Sequence, residues 1–288
     1  MTGTSPKSAH TGSPSTANRE WTIRQLLVQH CCEQLDTHFT LLGVRYMPVK
    51  GAFLICSGLA SHLQSRTMLD IDLLIEHEHD LPRVTDYFFS LENVRPLHCY
   101  SRSFQSPFLY RWGHYRYPVE IHSRLDYDER YRLPTHELFQ RGQNRTAMQV
   151  MPSAEDALCI AACHALTHIG YEFRETLLQE MAVLAGQESF SWNTFFPIAH
   201  STGIDRFITF LLLMLERKKA TRIPLPKRYL LSRCAAYLFR LLPYSRTPLP
   251  IRRLLFEFFF LRKPIPLALR KIQSQGLRVF EPGSMGKR

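Results

Sequence analysis

Two aspartates, Asp70 and Asp72, stand two positions apart in the run MLDIDLLI, whose other residues are apolar. On an extended backbone, residues i and i+2 point to the same face, so we expect the two carboxylates to lie side by side. Carboxylates this close repel each other unless a cation lies between them or one is protonated. The pattern therefore predicts a site for a hard divalent ion with oxygen ligands, Mg²⁺ (or Mn²⁺).

A third acid, Glu120, lies in a second strand-like run, YPVEIH. If the two strands are neighbours, Glu120 joins Asp70 and Asp72, as in sites that hold one or two metal ions against nucleotide phosphates. A surface position for Glu120 is the alternative. His122 shares a face with Glu120, and we expect it to bond a ligand carboxylate, to touch a nucleotide or to be a structural histidine.

Lys50 and Gly51 follow a short predicted strand over residues 44–49 and open an apolar helical pattern, AFLICSGLASHL. A glycine between a strand and a helix favours phosphate binding, because backbone N–H groups and the helix dipole point at the anion. Lys50 would add positive charge, and the guanidinium of Arg66 suits a phosphate or a carboxylate. The alternatives are a structural turn with a solvent-reaching lysine, and an Arg66–Asp70 salt bridge.

The ordered segments VKGAFL, SRTMLDIDLLI and VEIH resemble the nucleotidyltransferase superfamily of DNA polymerase β type. They are most similar to an uncharacterised bacterial family in it with the pattern KG, RxMxDIDLL and EIH, and more distantly similar to nucleotidyltransferase toxins of abortive-infection systems. The resemblance covers about residues 20–190. It implies an α+β polymerase β-type fold, with a mixed, largely antiparallel sheet and flanking helices, followed by a helical C-terminal region.

The resemblance also implies roles for individual residues. As catalytic residues and metal ligands it implies Asp70, Asp72 and Glu120; as nucleotide-binding residues it implies Lys50, Gly51, Arg66 and His122. The expected reaction moves a nucleoside monophosphate from an NTP to an unidentified acceptor, an RNA end, a peptide or a small molecule, and releases pyrophosphate. The sequence departs from the superfamily at Ala52, where serine is usual, and from the family at Ser123, where tryptophan is usual.

Four regions follow from composition and periodicity. Residues 1–19, rich in Ser, Thr, Gly and Pro, are predicted to be a disordered tail. Residues 20–150 are the predicted catalytic domain, with helices over 20–42 and 81–91 and strands over 94–100, 107–112 and 115–122, the last two forming a hairpin. Residues 151–218 are a predicted helical bundle, with helices over 154–169, 173–185, 192–200 and 205–218. Residues 219–288 form a basic region of short, proline-interrupted helices.

Charge is concentrated at the C-terminal end of the chain. The net charge is +11, and residues 217–288 contain 18 Lys or Arg and 2 acids. This indicates an anionic partner, such as RNA, an acidic peptide, a phosphorylated small molecule or a membrane surface, or simply a solvated basic exterior. The second functional hypothesis is therefore a catalytically silent nucleotidyltransferase fold that binds such a partner through the basic region.

The cysteines and the first residues of the chain indicate where the protein is found. Seven cysteines at irregular spacing do not form a secreted disulfide framework, and the first twenty residues lack the apolar run of a signal peptide, so a cytoplasmic protein is expected.

Cys159, Cys163, His164 and His168 superficially resemble a zinc-binding set. On one helix, however, the histidines are turned by about 100° from the cysteines, which favours a packed helix. The segment EHEHD at residues 76–80 is interpreted as a solvated loop.

Overall fold

The computed structural model describes residues 16–63, 70–97, 103–125, 131–167, 175–219 and 224. Within these residues the chain is a mixed α+β structure with a five-stranded sheet, a two-stranded ribbon and eight α-helices. Arg66, His168, residues 1–15 and nearly all of the basic region 219–288 lie outside the described residues. Among the described helices, none has the length and apolarity that crossing a bilayer requires.

The N-terminal part of the chain alternates helices and strands. In order, they are α1 (Thr16–Leu42), β1 (Tyr46–Val49), α2 (Lys50–Cys56), β2 (Ile71–Ile75), α3 (Leu81–Phe89), β3 (Val94–Pro96), β4 (Gln105–Trp112) and β5 (Tyr115–His122). Short 3-10 turns occupy Leu59–His62 and Glu78–Asp80. The rest of the chain is mostly helical: α4 (Thr135–Arg141), β6 (Gln143–Asn144), β7 (Val150–Met151), α5 (Ala154–Thr167), α6 (Glu175–Ala185), α7 (Trp192–Ser201) and α8 (Asp205–Lys219).

The five-stranded sheet has the order β1-β2-β5-β4-β3. The central neighbours β2 and β5 are parallel, and the other three pairs are antiparallel. The predicted hairpin is confirmed: β4 and β5 pair from Trp112↔Tyr115 inward around a two-residue turn. Gly113 in that turn has φ 58°, a left-handed conformation that glycine adopts without steric cost.

One face of the sheet lies against α1 and α3. Ile71 of β2, Val119 of β5 and Phe108 of β4 occupy one cross-strand row, and all three are buried. Phe88 of α3 stacks on Phe108 with ring centroids 5.1 Å apart, and Phe39 of α1 contacts Phe88. The next row, on the opposite face, carries the acids, because side chains alternate between faces. The apolar face therefore anchors the strands that position the polar one.

Two predicted boundaries are wrong. The helix α1 already begins at Thr16, so residues 16–19 are helical rather than part of the tail; the apolar pattern that defined the prediction starts only at Ile23. The helix α2 ends at Cys56, because Gly58 takes φ 75° and interrupts the helical backbone hydrogen bonds before the 3-10 turn. The strand β3 is described over Val94–Pro96, and Leu97 N–H still donates to Pro107 O beyond it; residues 98–100 of the predicted strand lie outside the described residues.

Candidate active site

Parallel pairing of β2 and β5 brings an aspartate beside a glutamate. Asp72 is in register with Glu120, and Leu74 with His122. His122 Nε2 lies 2.9 Å from Asp72 Oδ1 and 3.5 Å from Glu120 Oε2. Asp72, Glu120 and His122, hereafter the carboxylate cluster, each offer one ligand atom, and these atoms all lie within 4.8 Å of one another. His122 thus forms a hydrogen bond with the carboxylate of Asp72.

Lys50 contacts the same cluster from the neighbouring strand. Val49, the last residue of β1, is in register with Asp72, so Lys50 emerges next to that carboxylate. Its Nζ lies 2.7 Å from Asp72 Oδ1, and the side chains are 12% and 2% exposed, respectively. Among the residues that the structure describes, Lys50 is the one non-glycine residue with a positive φ, 53°. This left-handed turn, which costs an ordinary residue about 1 kcal/mol, leads the chain directly from β1 into α2.

The protonation states follow from burial and from these contacts. Burial alone would raise the pKa of Asp72, but the charge of Lys50 and the hydrogen bond from His122 together lower it well below its ordinary value. Burial lowers the pKa of His122 and outweighs the opposing effect of Asp72. At neutral pH, Asp72 is therefore ionised and His122 is neutral. An ionised carboxylate only accepts hydrogen bonds, so the ring proton of His122 is on Nε2, and this N–H donates a hydrogen bond to Asp72.

Glu120 is the more accessible acid of the cluster, with a side chain that is 26% exposed. Gln105 at the start of β4 donates a 2.6 Å hydrogen bond from Nε2 to Glu120 Oε2. Sequence reasoning missed Gln105. The signal was present, because the two-residue hairpin turn fixes a register in which Gln105 lies opposite His122.

The remaining predicted residues lie at the margin of the cluster or outside it. Asp70 directly precedes β2 and is half-buried; its charge raises the pKa of His122, but it does not belong to the close group. Gly51 is buried in the first turn of α2. Arg66 lies outside the described residues.

The two carboxylates of the cluster fit a divalent ion such as Mg²⁺ or Mn²⁺. His122 Nε2–H donates to Asp72 and so has no lone pair for the ion, which gives the imidazole the role of orienting Asp72. Across the described parts of the chain, no other set of three His, Cys, Asp or Glu side chains comes close enough to share an ion. This includes the described members of the zinc-like set, Cys159, Cys163 and His164. It also includes the segment 76–80, where Glu76 accepts two hydrogen bonds from Arg45 instead.

The chain also matches the model of a known family over residues 14–217, a range that contains the whole cluster. That family is described as uncharacterised nucleotidyltransferase. The chain belongs to this family. It is accordingly a nucleotidyltransferase, a class of enzyme that takes an NTP as substrate and generally uses a divalent metal. No curated protein and no solved structure matches the chain.

A cavity of about 710 Å³ in this nucleotidyltransferase opens at the carboxyl ends of β2 and β5. The lining of this cavity is rich in histidine: Glu76, His77, Glu78, His79, Ser123, Arg124, Leu133, Pro134, Thr135 and His136. Ser123 directly follows His122 in the chain, but no residue of the carboxylate cluster lines the cavity itself.

Proposed function

We propose that this protein transfers a nucleoside monophosphate from an NTP to an acceptor hydroxyl at the carboxylate cluster, with Mg²⁺ or Mn²⁺ as cofactor. The observation that carries the proposal is the side-by-side placement of Asp72 and Glu120 on adjacent parallel strands. In this proposal Asp70 completes the ligand set from the residue before β2. A bound divalent ion supplies charge neutralisation for the triphosphate and for the transferred group.

We further propose that the domain has the polymerase β-type fold. The resemblance implies a mixed, largely antiparallel sheet with flanking helices, and a five-stranded sheet with one parallel pair supports this. The acids lie on the central strands, and β1 leads into the short helix α2 beside them. This is consistent with a nucleotide held between the start of α2 and the carboxylates.

The transfer makes one bond and breaks one. The acceptor oxygen bonds to the α-phosphorus, the bond from that phosphorus to the oxygen bridging to the β-phosphate breaks, and pyrophosphate leaves. The acceptor proton passes to Glu120, because Asp72 is buried and already accepts from Lys50 and His122. Gln105 orients the Glu120 carboxylate through its hydrogen bond.

The phosphates would be held by groups around the start of α2. The backbone of Gly51 and the ammonium of Lys50 lie on the side of the cluster that β1 approaches. Lys50 is ion-paired with Asp72 and 12% exposed. Because the lysine stem is long and flexible, the ammonium would be able to turn from Asp72 to a phosphate. Arg66 is proposed as a further phosphate ligand on the strength of the resemblance.

The test is transfer of label from each α-labelled NTP in the presence of a cell extract. Asp72→Asn and Glu120→Gln should each lower transfer by about a hundredfold or more, because each removes charge that the transition state needs. Glu188→Gln, an equivalent change at an exposed residue between α6 and α7, should leave transfer unchanged. Full transfer by either cluster variant, with its fold intact by circular dichroism, would refute the proposal.

A further inference from the structure

A pair of cysteines connects α1 and α2, the helices before and after β1. Cys32 lies in α1, and Cys56 is the last residue of α2. The two helices pack against each other, and both thiols are free and close enough to share a hydrogen bond. The segment between the two cysteines contains all of β1 and the turn at Lys50 and Gly51. A covalent bond between the sulfurs would therefore close a ring around that turn.

The two cysteines differ in how well a small molecule reaches them. Cys32 is buried, with 4% of its surface exposed. Cys56 is half-buried, and the next two residues, Ser57 and Gly58, are exposed. A small oxidant arriving from solvent therefore meets Cys56 first, with Cys32 behind it. An accessible thiol with a second thiol in contact is the arrangement of an attacking and a resolving cysteine.

The shared hydrogen bond also assigns the proton. Cys32 donates to the Cys56 sulfur, which raises the pKa of Cys32 and is the largest effect that lowers the pKa of Cys56. Burial opposes this effect at Cys56, and the charge of Arg145, which donates from Nη1 to the Cys56 backbone oxygen, adds to it. The carboxylates of Glu33 and Asp36 oppose it as well, but the pKa of Cys56 stays below its ordinary value. Cys56 is thus the more reactive thiol, because the thiolate is the nucleophile.

Other described cysteines lack this combination. Cys31 is next to Cys32 in the chain but is turned from it by about 100° around the helix. It is buried, and burial raises its pKa to about 12. Cys159 in α5 is fully buried, and its pKa is also raised. Burial therefore keeps Cys31 and Cys159 as unreactive thiols.

We propose that Cys32 and Cys56 form a redox modification site, in which a hydroperoxide such as hydrogen peroxide converts the two thiols into a disulfide between α1 and α2. The Cys56 thiolate attacks one peroxide oxygen, an S–O bond forms, the O–O bond breaks and hydroxide leaves, which gives a sulfenic acid. The Cys32 sulfur then attacks the Cys56 sulfur, the S–S bond forms, the S–O bond breaks, and the departing hydroxide takes the Cys32 proton. The first hydroxide takes up the proton that Cys56 had lost, so two thiols and one peroxide give one disulfide and two waters.

The disulfide should affect the start of α2. An S–S bond of about 2 Å is shorter than a hydrogen-bonded contact between two sulfurs, so Cys56 has to move toward α1. The helix α2 has seven residues, and its first turn contains Gly51, so the movement reaches the proposed phosphate site. Because a misplacement of about 1 Å can cost about a hundredfold in rate, we expect oxidation to lower nucleotidyl transfer about tenfold or more. This effect rests on the proposed function, whereas formation of the disulfide does not.

The experiment treats the full chain with hydrogen peroxide, blocks the remaining thiols with N-ethylmaleimide and digests the protein with trypsin without reduction. Mass spectrometry should find the peptide of residues 25–45 linked to that of residues 51–66, and dithiothreitol should separate them. The first peptide contains both Cys31 and Cys32, so Cys31→Ala and Cys32→Ala are the matched variants. Cys31→Ala should form the link as wild type does. Cys32→Ala should form none, and dimedone should instead trap the sulfenic acid of Cys56.

Three results would overturn the redox site. They are the absence of the linked peptide from oxidised wild-type protein, a link from Cys56 to a cysteine other than Cys32, and a link in Cys32→Ala equal to that in Cys31→Ala. Circular dichroism before oxidation checks the fold of each variant. Cys31→Ala leaves Cys32 as the one cysteine of its peptide, so this variant identifies the linked residue even where Cys32→Ala does not fold.

The transfer assay separates this proposal from the proposed function. Peroxide should lower transfer by wild type and by Cys31→Ala about tenfold or more, and dithiothreitol should restore it. Cys32→Ala should keep most of its transfer after the same treatment. Unchanged transfer by protein that carries the disulfide would refute the effect on α2. Absence of transfer by reduced wild-type protein, with the linked peptide still formed on oxidation, would refute the proposed function and sustain the redox site.

Discussion

Replacing Lys50 with methionine should destabilise the protein, because it leaves Asp72 as a buried and uncompensated charge. Asp72 is 2% exposed, and Lys50 Nζ at 2.7 Å is its close positive partner. Removing one member of a buried ion pair costs about 3–5 kcal/mol. Lys50 is itself 12% exposed, and His122 still donates to Asp72, so we expect a value near the lower limit, about 3 kcal/mol.

The assay is urea unfolding, and its pH dependence gives a second, independent signature. In the wild-type protein the pKa of Asp72 is lower in the folded state than in the unfolded state. The ionised Asp72 therefore contributes its full stability above the unfolded-state pKa, and this contribution is lost as the pH falls through the folded-state pKa. In the Lys50→Met variant the lowering effect of the ammonium is lost while burial still raises the pKa of Asp72, so on acidification the folded variant takes up a proton there at a higher pH than the folded wild type does. The difference in stability between wild type and variant should therefore shrink on acidification.

The control is Arg83→Met, which removes a cation from the exposed Arg83–Asp80 pair. It should change the free energy of unfolding by less than about 1 kcal/mol. Added Mg²⁺ should stabilise Lys50→Met more than wild type, because the ion replaces the missing charge without having to displace an ammonium. A loss below about 1 kcal/mol for Lys50→Met, or a difference from wild type that grows in acid, would refute the reasoning about the pair.

Two further predictions concern other parts of the fold. Arg141→Met removes the guanidinium that donates three hydrogen bonds to Asp156, a fully buried carboxylate, and should lower the free energy of unfolding in urea by about 3 kcal/mol; a loss under about 1 kcal/mol would contradict it. Cys56 should be alkylated by iodoacetamide before Cys159, because a hydrogen bond with Cys32 lowers the pKa of the Cys56 thiol while burial raises that of Cys159. Peptide mass spectrometry at intermediate reaction times gives the order, and labelling of Cys159 first would contradict it.

Local rules were sufficient to predict much of the sheet. Alternation placed Asp72 on a polar face, and the two-residue turn at Gly113 predicted the hairpin and, with it, the face of Glu120. These features depend on neighbouring residues in the chain, which is why periodicity finds them. The predicted site assumed that β2 and β5 are neighbours, and the sequence could not show this, because strands far apart in the chain can be arranged in several orders in a sheet. The parallel register Asp72↔Glu120 needed the structure.

The state of Lys50 could not be predicted from sequence. A lysine before a glycine is ordinarily solvated, and nothing local indicates that it takes a left-handed conformation at φ 53°. The antiparallel register of β1 with β2 brings Val49 opposite Asp72, so the left-handed Lys50 directly follows the residue that faces the aspartate. The end of α2 was missed for a related reason. Gly58 lies within an apolar helical pattern, and only its positive φ shows that it ends the helix.

The arrangement of Lys50, Asp72 and His122 also discriminates between an enzyme and a silent binding module. A buried ion pair is weak support for stability, since apolar residues of similar volume are often as good or better. Lys50 adds the cost of a left-handed backbone, while His122 holds Asp72 in its ionised form through a hydrogen bond. A module that only binds an anion through a basic surface gains nothing from an ionised carboxylate kept buried in this way. A site that must keep an ionised carboxylate in place for a cation gains the pre-organised ligand, which is why the geometry favours catalysis over the silent alternative.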